Sequence, residues 1–229
     1  MVNIARGIIF VKRQDIDFYI ENSTEVINLV LPAEINRDLE IIDFKKLAEV
    51  IKTFVETNKI STFNAIMIVD NDLIFEKDLI NLTEEKKEEE IKKFLDLVPF
   101  DSVESRITPI DKGIKVLAIN NNYFLLLSRI LEKNGINTNS ILTKNELSQL
   151  FTNENQLNLT ATSQFFKQFD NYNQLSFSLT TNFLPDMENH TPEKKDSQID
   201  EKPKRSYLPY LLIVFVLLFS VLIFFLFLR

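Results

Sequence analysis

The chain has no cysteine, no tryptophan, one histidine and three glycines in 229 residues. Without cysteine there is no disulfide framework and no thiolate site, which fits a reducing compartment. The lone His190 sits in a polar stretch, which excludes a histidine-built zinc site or triad. Gly7, Gly113 and Gly135 are too scattered for a phosphate-cradling loop. A basic face is missing as well: the formal charge of −7 argues against a nucleic-acid partner. Around Asp70, Asp72, Glu76 and Asp78 the calcium-loop spacing is absent, so these carboxylates read as turn chemistry and a solvated strand face. No residue is therefore assigned to catalysis, to a cofactor or to a metal.

One long apolar run is present. Tyr207 to Leu228 carries no charge and one polar interruption, Ser220. A bilayer core needs about 20 apolar residues as helix, and such a helix satisfies its own backbone in lipid. Tyr207 and Tyr210 stand where interfacial aromatics belong, and Pro209 falls in the first turn. A single transmembrane helix is expected over 207–228. Lys202, Lys204 and Arg205 precede it and only Arg229 follows. These three cations form the topology flank that places the N-terminal part in the cytoplasm. Ile8–Val11 followed by Lys12 and Arg13 is the wrong order for a signal peptide. The charged and polar stretch 185–206, with Pro185, Pro192 and Pro203, reads as a disordered tether with a reach on the order of 25 Å.

Before the tether the pattern alternates between strand and helix. Gly7–Lys12, Asp17–Glu21 and Glu25–Leu31 predict a three-strand antiparallel meander. Asp43 caps a helix to Thr57 whose apolar residues, Phe44 to Val55, share one face. Phe63–Val69 and Leu73–Leu79 predict a strand pair about the turn Asp70-Asn71-Asp72. Thr83 caps an acidic helix to Leu97, with Ile91, Phe94, Leu95 and Val98 as its buried stripe. Two strands follow, Ser102–Thr108 and Ile114–Ile119, then a helix capped by Asn121 or Asn122 and ended by Asn134-Gly135. Ile136–Leu142 is a short strand, and Thr143 with Glu146 forms a capping box for a last short helix. Phe165, Phe166 and Phe169 predict one apolar helix face, and Leu175–Leu179 an edge strand.

The order of pieces from Asn64 to Leu142 resembles the actin-like proteins of type IV pilus assembly, the PilM family, related to the division protein FtsA. The likeness rests on the acidic helix ending in Val98-Pro99-Phe100 and the strand start Asp101-Ser102-Val103-Glu104. It continues through Lys115-Val116-Leu117-Ala118-Ile119 with its polar cap and helix, and through Gly135-Ile136. The resemblance implies an α+β class: a partial actin-like lobe with an SHS2-like inserted subdomain, plus the C-terminal transmembrane helix. Its divisions are 1–62 (meander and helix), 63–142 (inserted interaction subdomain), 143–184 (return segment), 185–206 (tether) and 207–228 (span). ATP-binding relatives open with an Asp-x-Gly turn. Here Gly7 to Gln14 has no such acid, and Asn158 to Phe183 holds no glycine. No nucleotide or catalytic residue of the family carries over.

The expected function is that of a non-catalytic scaffold or adaptor, tethered to the cell membrane as a single-pass protein with its N-terminal domain cytoplasmic. The resemblance implies membrane or pilus-assembly proteins as partners, in pilus-like or cell-envelope assembly. Tethering raises local concentration, so weak contacts suffice. Two other classes stand as alternatives: a residual actin-like ATPase, whose phosphate loops are unmet, and a tail-anchored longin- or SNARE-like trafficking protein, whose heptad helix Pro185–Ser206 would break. Exposed strand edges would also allow pairing with a neighbour.

Overall fold

The structure, a computed structural model, describes residues 4–37, 39–152 and 156–178. All of these fall in one compact unit, Met1–Pro185. The expected tether, its cationic flank and the span 207–228 lie outside the described residues.

The opening meander forms as its alternation predicts. Strands β1 (Ala5–Val11), β2 (Asp15–Ile20) and β3 (Ile27–Val30) pair antiparallel in sequence order. A small hairpin, β4 (Asn36–Arg37) with β5 (Glu40–Ile41), then leads into helix α1 (Phe44–Thr57). The Asp43 carboxylate caps α1 by accepting from the Lys46 N–H at 3.0 Å. The helix is the crossover that lets β6 (Phe63–Val69) lie parallel to β1, since parallel neighbours cannot be joined by a tight turn. Strand β10 (Ile136–Thr143) lies parallel to β6 on its other side, so the sheet order is β10-β6-β1-β2-β3.

Both faces of this sheet are covered, which explains why Gly7–Val11 and Ala65–Val69 are buried without interruption. Leu47, Ile51 and Val55 of α1 turn inward, and the Phe18 and Phe54 rings meet at 5.0 Å. On the opposite face Ile8, Phe10, Ile66, Ile68 and Leu142 pack under Leu147, Leu150, Phe165, Phe166 and Phe169. These last residues come from a 3-10 segment (Lys144–Leu150), a short helix (Leu159–Phe165) and the 3-10 turn Phe166–Leu175.

The path from β6 to β10 contains a second sheet. Strand β7 (Phe75–Ile80), helix α2 (Glu84–Leu97), β8 (Val103–Ile110) and β9 (Gly113–Asn120) build a three-stranded antiparallel sheet of order β7-β9-β8. Helix α3 (Asn121–Lys133) then returns the chain to β10, and α4 (Leu159–Phe165) follows on the far face. The architecture is α+β, as expected. Strands within 63–142 divide between the two sheets.

Four local expectations are corrected. Phe63–Val69 and Leu73–Leu79 do not pair: β6 is flanked by β1 and β10, and a 3-10 turn at Asn71–Leu73 carries the chain on to β7, which pairs with β9. An uninterrupted apolar strand is the mark of an interior parallel position, and β6 fills one. The cap of α3 is Asn120, not Asn121 or Asn122; its Oδ1 accepts from the Tyr123 N–H at 3.1 Å. Asn121 is instead buried and donates to Ser102 Oγ at 3.1 Å. The stripe on α2 is only half-buried, because one small sheet covers it; Val98, just past the helix, is the buried member. The short helix after the capping box forms, as a 3-10 segment. Leu175 to Ser178 forms no strand, although the Phe177 N–H donates to the Ile141 carbonyl at 3.0 Å.

Candidate functional site

In open sheets with parallel strands, ligands bind outside the carboxyl ends of those strands. Here the ends of β1, β6 and β10 present Lys12, Asp70 and Lys144. Lys12 is held by Asp15 and, at 2.9 Å, by Asp17. Burial works against its ammonium, and the hydrogen bonds to both carboxylates outweigh that cost, so its pKa stands above the usual lysine value. Lys144 pairs with Asp70 at 2.9 Å, with both side chains well buried. The same Asp70 carboxylate accepts from the Asn71 N–H at 2.8 Å, capping the 3-10 turn that leaves β6. Beneath the two ammonium groups lie aromatic rings: Phe10 and Phe151 meet at 4.7 Å, and Lys12 and Lys144 each sit 5.7 Å from the Phe10 centroid.

A second contact ties the small sheet to this edge. Arg106 of β8 pairs with Glu146 and lies over the Phe177 ring at 4.7 Å. Glu146 also closes the capping box, accepting from the Thr143 N–H at 2.9 Å and its hydroxyl at 3.0 Å. Asn71 donates to Asn145 Oδ1 at 3.0 Å. One short stretch, Thr143–Glu146, therefore grips both the exit from β6 and the body of the small unit. Chemically the edge is self-satisfied: an arriving phosphate would have to displace internal carboxylates from Lys12 and Lys144.

The small unit presents a different surface. No residue of α2 is fully buried. Leu97 is 81% exposed, and Ile80 and Ile107 are about half exposed. Polar ties hold the helix to its sheet, chiefly Lys77 to Glu90 at 2.8 Å. The acids that tempt a metal reading are placed by cations. Glu76 and Asp78 face Lys115 at 3.3 and 3.5 Å, and Asp70 is taken by Lys144. Among the described residues no cluster of metal-ligating groups occurs.

Of the residues singled out in the sequence, Thr143 and Glu146 form their capping box, and the carboxylates serve turns and ion pairs. Lys202, Lys204 and Arg205 lie outside the described residues. Lys144 and Arg106 carry no local signal, because their partners Asp70 and Glu146 lie far away in the chain and become neighbours only through the fold, whereas the partners of Lys12 lie three and five residues on, across the β1–β2 hairpin. Among the described residues no helix is long and apolar enough to cross a membrane.

No family model matches the chain, and no curated protein matches it. Several solved structures overlap it in part. The PilM-PilN type IV pilus biogenesis complex is 13% identical over 60% of this chain and 46% of that one, with a TM-score of 0.41. The cytoplasmic domain of EpsL, an inner-membrane component of the Vibrio cholerae type II secretion system, is 10% identical over 61% and 56%, with a TM-score of 0.35. A Bacteroides thetaiotaomicron protein with an actin-like ATPase fold and unknown function is 11% identical over 62% and 52%, with a TM-score of 0.32. The chain spans about half the length of these structures. Strand order and register, not these partial overlaps, define the architecture described above.

Proposed function

We propose that the chain is a non-catalytic adaptor of the actin-like, PilM type, held at the cytoplasmic face of a membrane by residues 207–228. Its partners on this reading are other membrane or assembly proteins of the pilus or secretion kind. The observation that carries the adaptor role is the strand-helix-strand-strand unit set into the β6–β10 crossover. Its helix buries no residue fully, and it offers Ile80, Leu97 and Ile107 to solvent. Isolated exposed apolar side chains are ordinary, but three on one small unit suit a contact surface. The non-catalytic part is supported by the internal pairing of Lys12 and Lys144, which occupies both cations at the carboxyl edge.

Two measurements test it. Placing arginine at Leu217 and Leu218 costs about 2.5–3.5 kcal/mol each at a span centre. The double variant is expected to leave the membrane pellet on cell fractionation, while the parent stays there; a parent found in the soluble fraction overturns the tether. In thermal melts, magnesium-ATP is expected to leave the midpoint unmoved. A saturable rise would return the chain to the ATPases.

A further inference from the structure

We infer that Ser176 and Phe177 form a strap that closes the outer edge of β10 reversibly, and that Arg106 makes closure of the strap and seating of the small unit one event. Strand β10 is an outer strand of the large sheet, with β6 as its neighbour on the inner side. A sheet edge left open exposes unpaired backbone groups, so it is commonly covered. Two alternate residues of β10 turn backbone groups out from this edge, and each meets a different cover. At Ile141 the N–H donates to Ser176 Oγ at 2.8 Å, and the carbonyl accepts from the Phe177 N–H at 3.0 Å. At Thr143 the N–H donates to Glu146 Oε2 at 2.9 Å.

One side chain of the small unit holds both covers. Arg106, on β8, pairs with Glu146 through Nη2, and its guanidinium lies over the Phe177 ring, 4.7 Å from the centroid. Phe177 is buried, and the Arg106 side chain is 16% exposed. The chain before the strap is fixed in the core. Phe165, Phe166 and Phe169 are buried, and the Tyr172 ring meets that of Phe165 at 4.6 Å. Past Tyr172 the strap grips the large sheet at Ile141 and the small unit at Arg106.

The closed state carries a cost that keeps it poised. Glu146 takes one nitrogen of the Arg106 guanidinium. Nε and Nη1 are buried and have no hydrogen-bond partner among the described residues. The Phe177 face attracts the cation, but buried donors left without acceptors still carry their desolvation penalty. Lifting the strap lets water reach both nitrogens, which offsets the loss of the ring contact and of the two bonds at Ile141. A hydrated Arg106 then grips Glu146 less firmly, because an ion pair exposed to water is worth little. Strap and small unit therefore loosen together. In the sequence, the residues after Ser178 lead on to 207–228. A pull on that segment would lift the strap and unseat the small unit, so the contact surface would respond to events at the membrane. That use rests on the tether reading; the strap itself does not.

Hydrogen exchange on the purified full chain tests both parts. In the parent, the Ile141 and Phe177 amides are expected to exchange by a local opening. They should exchange several-fold faster than those of Ile8–Val11 and ignore urea below the unfolding transition, whereas exchange limited by global unfolding steepens with denaturant. Rates and urea slopes that match Ile8–Val11 overturn the reversible strap, and this comparison needs no variant. Coupling is read from a double-mutant cycle. Phe177→Ala is expected to speed exchange across β8 and β9 several-fold in the parent background. With Arg106→Ala already present it should add nothing, because the effect passes through that guanidinium. No acceleration in the parent background, or equal acceleration in both, overturns the coupling. Cell fractionation reads the tether separately: a chain with the expected exchange that is found in the soluble fraction keeps the strap and removes only the membrane's part in it.

Discussion

Two glutamates in the small unit are displaced in opposite directions. Glu90 accepts from Lys77, and then from Lys93 at 3.2 Å, and these cations hold its carboxyl below the usual range. A depressed folded pKa contributes stability above the unfolded carboxylate pKa, and that stability is lost as the pH falls through the folded value. Glu90→Gln is expected to lower the urea midpoint near pH 7 and to match the parent in acid below the folded pKa, where the Glu90 carboxyl is protonated in folded and unfolded chain alike. Glu104 behaves oppositely, since burial alone raises its pKa. Its ionised form carries a penalty above the folded pKa that vanishes below the unfolded one. Glu104→Gln should therefore raise the neutral midpoint slightly and change nothing in acid. Arg106 and Glu146 illustrate what no local pattern reveals. The Thr143–Glu146 spacing announces a capping box, whereas the cation that also claims Glu146 comes from β8, 40 residues earlier in the chain.

At the scale of elements, helices α2 and α3 differ in what holds them. Helix α3 buries eight side chains and α2 none. Amides of α2 should exchange with deuterium by local opening, well before those of α3, which are expected to wait for global unfolding. Helix α3 ends at Gly135, whose φ of +84° is one that side chains resist, and a Cβ there would approach Thr62 Oγ1 to 2.9 Å. Gly135→Ala should cost about 1 kcal/mol or more, read as a lowered melting midpoint. These helices and most strands were legible because caps, breaks and apolar spacing act within a few residues. The pairing of β6 was not. A central strand buried on both faces has no alternation to betray its partners, and the Asp70-Asn71-Asp72 turn suits a hairpin and a departing 3-10 turn equally well.

For the whole molecule, the residues after β10 close the core. Phe165, Phe166 and Phe169 cover Ile8, Ile66 and Leu142, strands drawn from both ends of the sheet's history in the chain. Phe169→Ala should cost about 3–5 kcal/mol and be felt throughout the sheet rather than locally, as one broadly lowered transition in thermal melts. That the aromatic triplet shares a face could be read from its spacing. That it roofs the first strand could not, since this contact joins residues some 160 positions apart, as the Arg6 guanidinium donating to the Phe166 carbonyl at 2.6 Å shows.

Both covalent joints of the small unit leave the large sheet at one edge. The outgoing joint follows β6 at Asp70–Leu73, and the incoming one is Asn120, which caps α3 and donates to the Leu39 carbonyl at 3.1 Å. A module attached this way behaves as a cassette. Its loops and helix can lengthen, shrink or be exchanged over generations while the register of the parallel strands stays fixed, so diversity in whom the protein meets can accumulate without jeopardising how it folds.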